Sequence, residues 1–213
     1  DWSSDVCSSD LIEETMRALD ALVRAGKVRY VGASNYPTWE LADALWTSRL
    51  NGLARYESVQ PRYNLLFRMI EDELLPLCKA HGLGVISYNP LAGGMLTGRY
   101  VGARALQDGS RFTLAHGRGE MYRKRYWNDE VHAQVEHLAD VAGRHGRSLT
   151  HMALAWVLAQ PVLTSAIVGA SRPEQLRDSL GAVGLTLSDE ERIACDEVWF
   201  ALPREKDPEI ARR

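Results

Sequence analysis

The sequence has few cysteines, no long apolar run and no strong excess of charge of one sign. Its 213 residues include 3 cysteines, none in a C-x-x-C pair, which argues against a disulfide framework and a structural zinc site. No stretch approaches the ~20 apolar residues of a membrane span, and no signal peptide is visible. The formal charge of −3 is too small to indicate nucleic acid or a membrane as a partner. We therefore expect a cytoplasmic globular protein, whose oligomeric state the sequence leaves open.

The common motifs for phosphates and metals are missing as well. The chain contains neither G-x-G-x-x-G nor G-x-x-x-x-G-K-[ST]. Its 6 histidines show no metal-ligand spacing, so we predict no metal site and place the histidines on the surface. Cys78 and Cys195 lie in helical segments and are predicted to pack in the core. The helical tryptophans Trp39, Trp46 and Trp156 are predicted to do the same.

The first ten residues, D-W-S-S-D-V-C-S-S-D, have no helical or strand period and stop where an amphipathic pattern begins. Back-translation of this stretch can reproduce a sequence that resembles a common sequencing-library adapter. We therefore interpret residues 1–10 as an adapter artefact that is not native, and residues 11–213 as the C-terminal part of a single domain. The alternative is a natural tail rich in serine and aspartate.

Helical and strand patterns alternate along the rest of the chain. They predict helices over residues 11–25, 37–48, 69–80, 129–145, 148–159, 173–183 and 188–200, and strands over 28–34, 58–60, 84–88 and 164–169. Ser188 and Glu191 fit a capping box at the start of the last helix. The alternation indicates an α/β fold with a parallel sheet. Only Leu91–Trp127 lacks a clear period, and we predict a long functional loop there.

Polar or glycine-rich residues follow all four predicted strands, where α/β proteins carry their function. The four ends read Ser34-Asn35, Gln60 to Asn64, Tyr88-Asn89-Pro90-Leu91-Ala92-Gly93-Gly94 and Gly169-Ala170-Ser171-Arg172. Asn35 and Gln60 can hydrogen-bond a carboxamide in both directions, because an amide both donates and accepts. Tyr88 offers a flat face for an aromatic ring. The alternatives are that the two amides cap turns and that Tyr88 is a core residue.

Other residues at these ends suit phosphate groups. Gly93 and Gly94 allow backbone N–H groups to approach an anion closely. Ser171 and Arg172 precede a helix, and a helix N-terminus attracts anions. Arg172, and Arg111 from the long loop, could add charge, although each could instead be a solvated surface arginine. An amide site, a flat ring, a diphosphate site and a further phosphate site together describe a nicotinamide dinucleotide phosphate.

Four segments carry a family resemblance: V-R-Y-V-G-A-S-N, V-Q-P-R-Y-N-L-L, I-S-Y-N-P-L-A-G-G-M-L-T-G-R-Y and I-V-G-A-S-R-P-E-Q-L. In this order they resemble the aldo-keto reductases, most nearly the bacterial members and the potassium-channel β subunits, over about residues 11–200. The resemblance implies a (β/α)8 barrel that binds NADP(H) without a Rossmann motif. Such a barrel takes ~250 residues, so we expect an incomplete TIM barrel, the last four strands with their helices.

The resemblance also implies which residues hold NADP(H). Ser34, Asn35 and Gln60 would hold the nicotinamide carboxamide, and Tyr88 would stack on the ring. Asn89, Pro90, Leu91 and Gly93 would line the pyrophosphate, with Arg99 and Arg111 reaching over from the loop. Ser171, Arg172 and Gln175 would face the 2′-phosphate, and Asp178 and Ser179 would approach the adenine. The family commonly has Asn at Ser179, often Glu at Asp178, and usually Lys at Arg99.

No catalytic residue is assigned in this chain. The tyrosine acid of the family, with its lysine, aspartate and histidine, comes from the first four strands, and Tyr63, Lys79, His81 and Asp108 stand in other sequence contexts. We expect the intact protein to reduce a small aldehyde or ketone to an alcohol with NADPH, and this chain alone to be inactive. The alternatives are a non-catalytic NADPH-binding regulatory subunit of the same fold and an unrelated phosphate-binding barrel.

Overall fold

The structure, a computed structural model, describes residues 8–102, 105–106, 108–115 and 117–204. These residues divide into two compact units. The first unit contains residues 8–61 and 70–86. The second contains residues 62–69 and the described residues between 87 and 204.

The first unit alternates helices with parallel strands. Its elements are α1 (Ser8–Arg24), β1 (Val31–Ser34), α2 (Thr38–Asn51), β2 (Tyr56–Gln60), α3 (Leu74–His81) and β3 (Gly84–Tyr88), of which the last two residues belong to the second unit. β1 pairs in parallel with β2, and Ser34 lies opposite Gln60. β2 pairs in parallel with β3, and Val59 lies opposite Val85. The predicted α/β fold with a parallel sheet is confirmed.

Apolar residues at helical and strand spacing form the core of the first unit. The buried set includes Ile12, Met16, Ala33, Leu41, Ala44, Leu45, Val59, Leu75, Cys78 and Val85. Helices α2 and α3 end at Gly52 and Gly82, whose φ angles of 62° and 63° are left-handed and favour glycine. The buried carboxylate of Asp20 accepts the Ala54 N–H at 2.8 Å, which ties α1 to the turn after α2.

The second unit is mainly helical. Its elements are two short 3-10 helices (Ala92–Thr97 and Arg111–Thr113), α4 (Arg118–Tyr126), α5 (Asp129–Arg144), α6 (Leu149–Leu158), β4 (Leu163–Ile167), α7 (Pro173–Leu180) and α8 (Asp189–Ala201). A further 3-10 turn, Met69–Glu71, lies at the boundary of the two units. Side chains cap three helices, because Asn128, Ser148 and Ser188 each accept a backbone N–H at the start of α5, α6 and α8. The capping box predicted for Ser188 and Glu191 is confirmed.

The segment Leu91–Trp127, predicted as a loop, is more regular than expected, since it includes α4. The sequence of α4, RGEMYRKRY, has almost no apolar period, so the helix is fixed by tertiary contacts instead. The Arg123 guanidinium donates to the Phe112 carbonyl. The Phe112 ring packs against Tyr100 and Trp127, with ring centroids 5.4 Å and 4.9 Å apart.

Most predicted core positions are confirmed and three predictions are wrong. Cys78, Cys195 and Trp156 are buried as predicted. Trp39 and Trp46, predicted to be buried, are 61% and 51% exposed. His132, predicted on the surface, is buried, because its ring packs edge-on against Trp127 at 4.9 Å.

Some element boundaries also differ from those predicted. β1 begins at Val31, three residues later than expected, and β4 ends at Ile167, two residues earlier. α1 begins at Ser8, so it includes the last three of the ten residues interpreted as foreign. In the part of the chain that the structure describes, no helix is both long enough and apolar enough to span a bilayer.

Candidate active site

The carboxyl ends of β1 and β2 bring two predicted site residues together in the first unit. The hydroxyl of Ser34 donates to the main-chain carbonyl of Gln60 at 3.0 Å, and both residues are exposed. Parallel pairing places them side by side, since they are partners in the register. Asn35 follows in the left-handed region, at φ 57°, which asparagine tolerates better than most residues. An exposed hydroxyl and two amides at one strand end can donate to and accept from a carboxamide.

The turn after β3, residues 89–94, is here called the Asn89 loop. Asn89 has a φ of 60°, and its side-chain Oδ1 accepts the Gly93 N–H at 2.6 Å. Its carbonyl accepts the Ala92 N–H at 3.0 Å. Ala92, Gly93 and Gly94 all have positive φ, at 50°, 71° and 104°. This run of left-handed residues makes the loop a tight turn.

The two glycine N–H groups predicted to face an anion are used inside the loop. The Gly93 N–H donates to Asn89 and the Gly94 N–H donates to the Leu91 carbonyl at 2.8 Å. The space over Gly94 is nevertheless open as far as the described residues go, since none of them beyond its chain neighbours has a heavy atom within 4 Å of a Cβ there. Pro90 is buried, whereas Tyr88 and Leu91 are partly exposed. The backbone of the loop is therefore not covered by a side chain at Gly94, and the N–H groups of Gly93 and Gly94 are already fixed in direction.

Three buried side chains support the Asn89 loop; with Asn89 they are here called the tyrosine–amide network (Arg62, Asn64, Asn89, Tyr126). The Asn64 Nδ2 donates to the Asn89 carbonyl at 3.0 Å and to the Tyr126 hydroxyl at 3.1 Å. The Asn89 Nδ2 donates to the same hydroxyl at 3.1 Å. A longer contact of 3.4 Å brings the Arg62 guanidinium to it as well. Since Arg62, Asn64 and Tyr126 are each at most 4% exposed, these bonds form away from water.

Arg111 lies beside Gly169, which follows the end of β4. Its Nη2 is 3.5 Å from the position that a Cβ on Gly169 would occupy, and among the described residues beyond the chain neighbours of Gly169 it is the one group within 4 Å. The Tyr122 hydroxyl lies 3.4 Å from the Arg111 Nη1, and the Tyr122 ring lies under the guanidinium at 5.8 Å. Arg111 remains exposed. The second unit thus holds an accessible cation against bare backbone after β4, an arrangement suited to a phosphate.

The start of α7 is organised by Ser171 and Gln175. The Gln175 Oε1 accepts both the Ser171 N–H at 2.9 Å and the Ser171 hydroxyl at 3.0 Å. Arg172 takes the cap position in an extended conformation, followed by Pro173, and its side chain is exposed. Arg99, also predicted to bind the cofactor, is exposed too. The predicted anion site at this helix start is therefore accessible.

Asp178 and Ser179, both predicted to approach the adenine, differ in accessibility, since Asp178 is exposed and Ser179 is not. The His151 Nε2 lies 2.7 Å from the Asp178 carbonyl oxygen and 3.1 Å from its carboxylate. Ser179 is buried at 9% exposure. The structure thus gives Asp178 a partner on α6, and the adenine role of both residues stays a prediction.

Burial controls the titration of the thiols. Burial raises the pKa of Cys78 to about 11 and that of Cys195 to about 12, so neither is a reactive thiolate at neutral pH. Burial and the neighbouring Tyr36 hydroxyl also raise the pKa of Tyr56. The described residues contain no group of three or more His, Cys, Asp or Glu placed to hold a metal ion.

The chain matches the model of the Aldo/keto reductase family over residues 1–199. This chain belongs to the aldo/keto reductase family. The resemblance carried by the four motifs is thus confirmed. Because the match starts at residue 1, it gives no support to the interpretation of the chain as a C-terminal part.

Individual aldo/keto reductases are similar at moderate identity. The chain is 32% identical to an aldo-keto reductase of Pseudocercospora fijiensis, over 93% of this chain and 69% of that protein. It is 36% identical to the oxidoreductase YrpG of Bacillus subtilis, over 84% and 51%. It is 37% identical to human aldo-keto reductase family 7 member A3, over 80% and 55%. The chain therefore spans between about half and about two thirds of the length of these relatives.

Four residues of this aldo/keto reductase chain were not predicted to belong to the site: Arg62, Asn64, Tyr122 and Tyr126. A signal existed for Arg62 and Asn64, which lie in the motif V-Q-P-R-Y-N-L-L at a strand end. No such signal marked the two tyrosines, which lie in a stretch without apolar periodicity. Their role depends on contacts with residues up to 64 positions away.

Proposed function

We propose that this chain binds NADP(H) and belongs to an oxidoreductase that reduces small aldehydes or ketones to alcohols. Family membership supports the reaction class. Arg111 carries the cofactor assignment, because its exposed guanidinium is held against the bare backbone of Gly169, immediately before the start of α7. A phosphate there would meet a fixed cation and a helix N-terminus in the same unit.

The residues fit the parts of NADP(H) in each unit. In the second unit, the Asn89 loop and Arg111 would bind the diphosphate, with Arg99 adding charge, and Ser171, Arg172 and Gln175 would bind the 2′-phosphate. Tyr88 would lie against the nicotinamide ring. In the first unit, Ser34, Asn35 and Gln60 would orient the carboxamide. The bound cofactor would supply the hydride, while these residues fix its position and charge environment.

Several finer points belong to the same proposal. The four strands would be the last four of a (β/α)8 barrel, and the protein would act in the cytoplasm. The chain alone would not turn over a carbonyl substrate, because no tyrosine in it matches the family's catalytic motif. Binding is therefore the property to test first, since it does not depend on the catalytic tyrosine.

Titration of the 213-residue chain with NADPH and NADH, followed by nicotinamide fluorescence, tests the proposal. Arg111→Ala should weaken both ligands about tenfold, since a charged hydrogen bond contributes about 1.5 to 3 kcal/mol. Arg172→Ala should weaken NADPH more than NADH, because only NADPH carries the 2′-phosphate. Arg118→Ala, which removes an exposed arginine of α4, is the matched control. Absence of NADPH binding, or equal losses in all three variants, would contradict the proposal.

A further inference from the structure

Two tyrosines of α4 contact different parts of the proposed anion site. Tyr122 and Tyr126 are four residues apart in α4, so they project from the same face of the helix. We propose that they are positioning residues: Tyr126 fixes the Asn89 loop, and Tyr122 fixes Arg111 against that loop. This inference rests on the proposed NADP(H) site and names residues that act on it indirectly.

The argument for Tyr126 begins with Asn89. An asparagine amide can rotate, and an acceptor at its Nδ2 stabilises the orientation in which its Oδ1 faces the Gly93 N–H. The Tyr126 hydroxyl accepts that Nδ2 at 3.1 Å, and Oδ1 accepts the Gly93 N–H at 2.6 Å. Because Tyr126 is 1% exposed, water cannot easily replace its hydroxyl. The direction of the Gly93 N–H, and with it the shape of the loop, therefore depends on Tyr126.

Asn64 strengthens this dependence. Its two amide hydrogens go to the Asn89 carbonyl and the Tyr126 hydroxyl, and its Oδ1 accepts the Leu66 N–H at 3.0 Å. Every polar group of a fully buried side chain is thus used. Asn64 consequently holds the Asn89 backbone directly, and it holds the Asn89 side chain through the Tyr126 hydroxyl. The left-handed backbone of Asn89 is over-determined by these contacts, as positions at functional sites often are.

Tyr122 contacts both the Asn89 loop, at Gly93, and the Arg111 guanidinium. Its ring lies so close to Gly93 that a Cβ there would come within 2.7 Å of the Tyr122 Cδ1. Its hydroxyl approaches the Arg111 Nη1 at 3.4 Å. One side chain therefore covers the glycine that Asn89 orients and also supports the guanidinium beside Gly169. Moving Tyr122 would change the position of Arg111 relative to the loop.

Three phenylalanine variants of the full chain test the inference. Tyr126→Phe and Tyr122→Phe each delete one hydroxyl and keep the ring. Tyr100→Phe is the matched control, because Tyr100 is equally buried and packs against Phe112 and Trp127 at 5.4 Å and 5.0 Å. Two measurements are made on each: amide hydrogen exchange of the ligand-free chain around Gly93, and the Kd for NADPH.

Tyr126→Phe should speed exchange of the Gly93 amide at least about fivefold and weaken NADPH about fivefold, which is the size expected for the one hydrogen bond of this hydroxyl that orients Asn89. The loss of affinity should shrink to under about twofold when Asn89→Ala is already present, because the proposed effect of Tyr126 on the ligand passes through Asn89. Tyr122→Phe should weaken NADPH about threefold, and much less in an Arg111→Ala background. Tyr100→Phe should change neither measurement.

The outcomes separate the two proposals. If the unmodified chain does not bind NADPH, the proposed function fails, and the amide exchange alone decides the role of Tyr126. If NADPH binds but Tyr126→Phe alters neither exchange nor affinity, the positioning role of Tyr126 is wrong. Losses that stay the same in the Asn89→Ala and Arg111→Ala backgrounds would show that the tyrosines act on general stability and would overturn the inference.

Discussion

The end of β1 and the end of β3 are both polar, but they are held in different ways. At the end of β1, the exposed Ser34 makes one hydrogen bond to the Gln60 carbonyl. At the end of β3, Asn89 takes part in four hydrogen bonds, to Asn64, Ala92, Gly93 and Tyr126. The Ser34 hydroxyl at the first end is held on the surface, whereas Asn89 at the second end is held by buried side chains before any ligand arrives. Residue type predicts polarity at a strand end, but buried partners decide how rigid that end is.

The largest expected effect comes from truncating one side chain at each of the two strand ends and comparing the loss of stability. Asn64→Ala should lower the free energy of unfolding by about 3 kcal/mol, because it removes three hydrogen bonds of a buried side chain and leaves the buried Leu66 N–H without its acceptor. Ser34→Ala should lower it by less than about 0.5 kcal/mol, since water replaces its bond. Urea unfolding of both variants measures the two values. Equal losses of unfolding free energy in the two variants would show that the two strand ends are held equally firmly.

A second test adds a methyl group beneath Tyr122. Gly93→Ala should cost about 2 to 3 kcal/mol, because it combines a left-handed φ of 71° with a contact of 2.7 Å to the Tyr122 ring. Gly98→Ala has a similar φ of 76° and open space around the Cβ, so it should cost only about 1 kcal/mol. Unfolding in urea compares the two. A Gly93→Ala variant no less stable than Gly98→Ala would show that the Tyr122 ring moves aside easily.

Sequence reasoning predicted the parts of the molecule that depend on local pattern. It gave the order of strands and helices, the capping box at Ser188, and the polar strand ends that include Ser34, Asn35 and Gln60. It missed α4, because the helix has no apolar stripe and is held by tertiary contacts such as that between Arg123 and Phe112. It therefore missed Tyr126, whose partners lie far away in the chain.

The hydrogen bonds of the two glycine N–H groups in the Asn89 loop were also beyond prediction from the sequence. The sequence correctly marked Gly93 and Gly94 as positions where the backbone is bare. It could not show that both N–H groups donate within the loop, because this depends on the left-handed conformations of Asn89 and Ala92. Sequence pattern identifies the residues that can form such a turn, and packing selects which hydrogen bonds they make.

Each unit contains one buried thiol, so the loss of stability at alkaline pH can be compared between the two units. Folding raises the pKa of Cys78, in the first unit, to about 11 and that of Cys195, in the second, to about 12, above the ordinary value of 9.0. A raised pKa means that each thiol stabilises the fold fully below pH 9 and that this contribution is lost as the pH rises through the folded value. At pH 10 the loss should be about 1 kcal/mol for each thiol.

Urea unfolding at pH 8 and pH 10 measures this loss. Cys78→Ala and Cys195→Ala should each reduce the difference in unfolding free energy between the two pH values by about 1 kcal/mol, whatever their effect on stability at pH 8. Comparing differences removes the cost of the cavity that each substitution leaves. A pH dependence unchanged in either variant would show that its thiol is more accessible than the structure indicates.

The smallest expected effect concerns the more adaptable end of the sheet. If Gln60 orients the nicotinamide carboxamide, Gln60→Ala should weaken NADP+ about threefold to fivefold, the contribution of an exposed hydrogen bond. It should leave 2′-phospho-ADP-ribose unaffected, because that ligand has both phosphate sites and no nicotinamide. Arg111→Ala should weaken both ligands alike, so the ratio of the two affinities distinguishes the two ends. Isothermal titration calorimetry of both variants with both ligands measures this ratio. If Gln60→Ala weakens both ligands equally, the proposal that Gln60 orients the nicotinamide carboxamide is wrong.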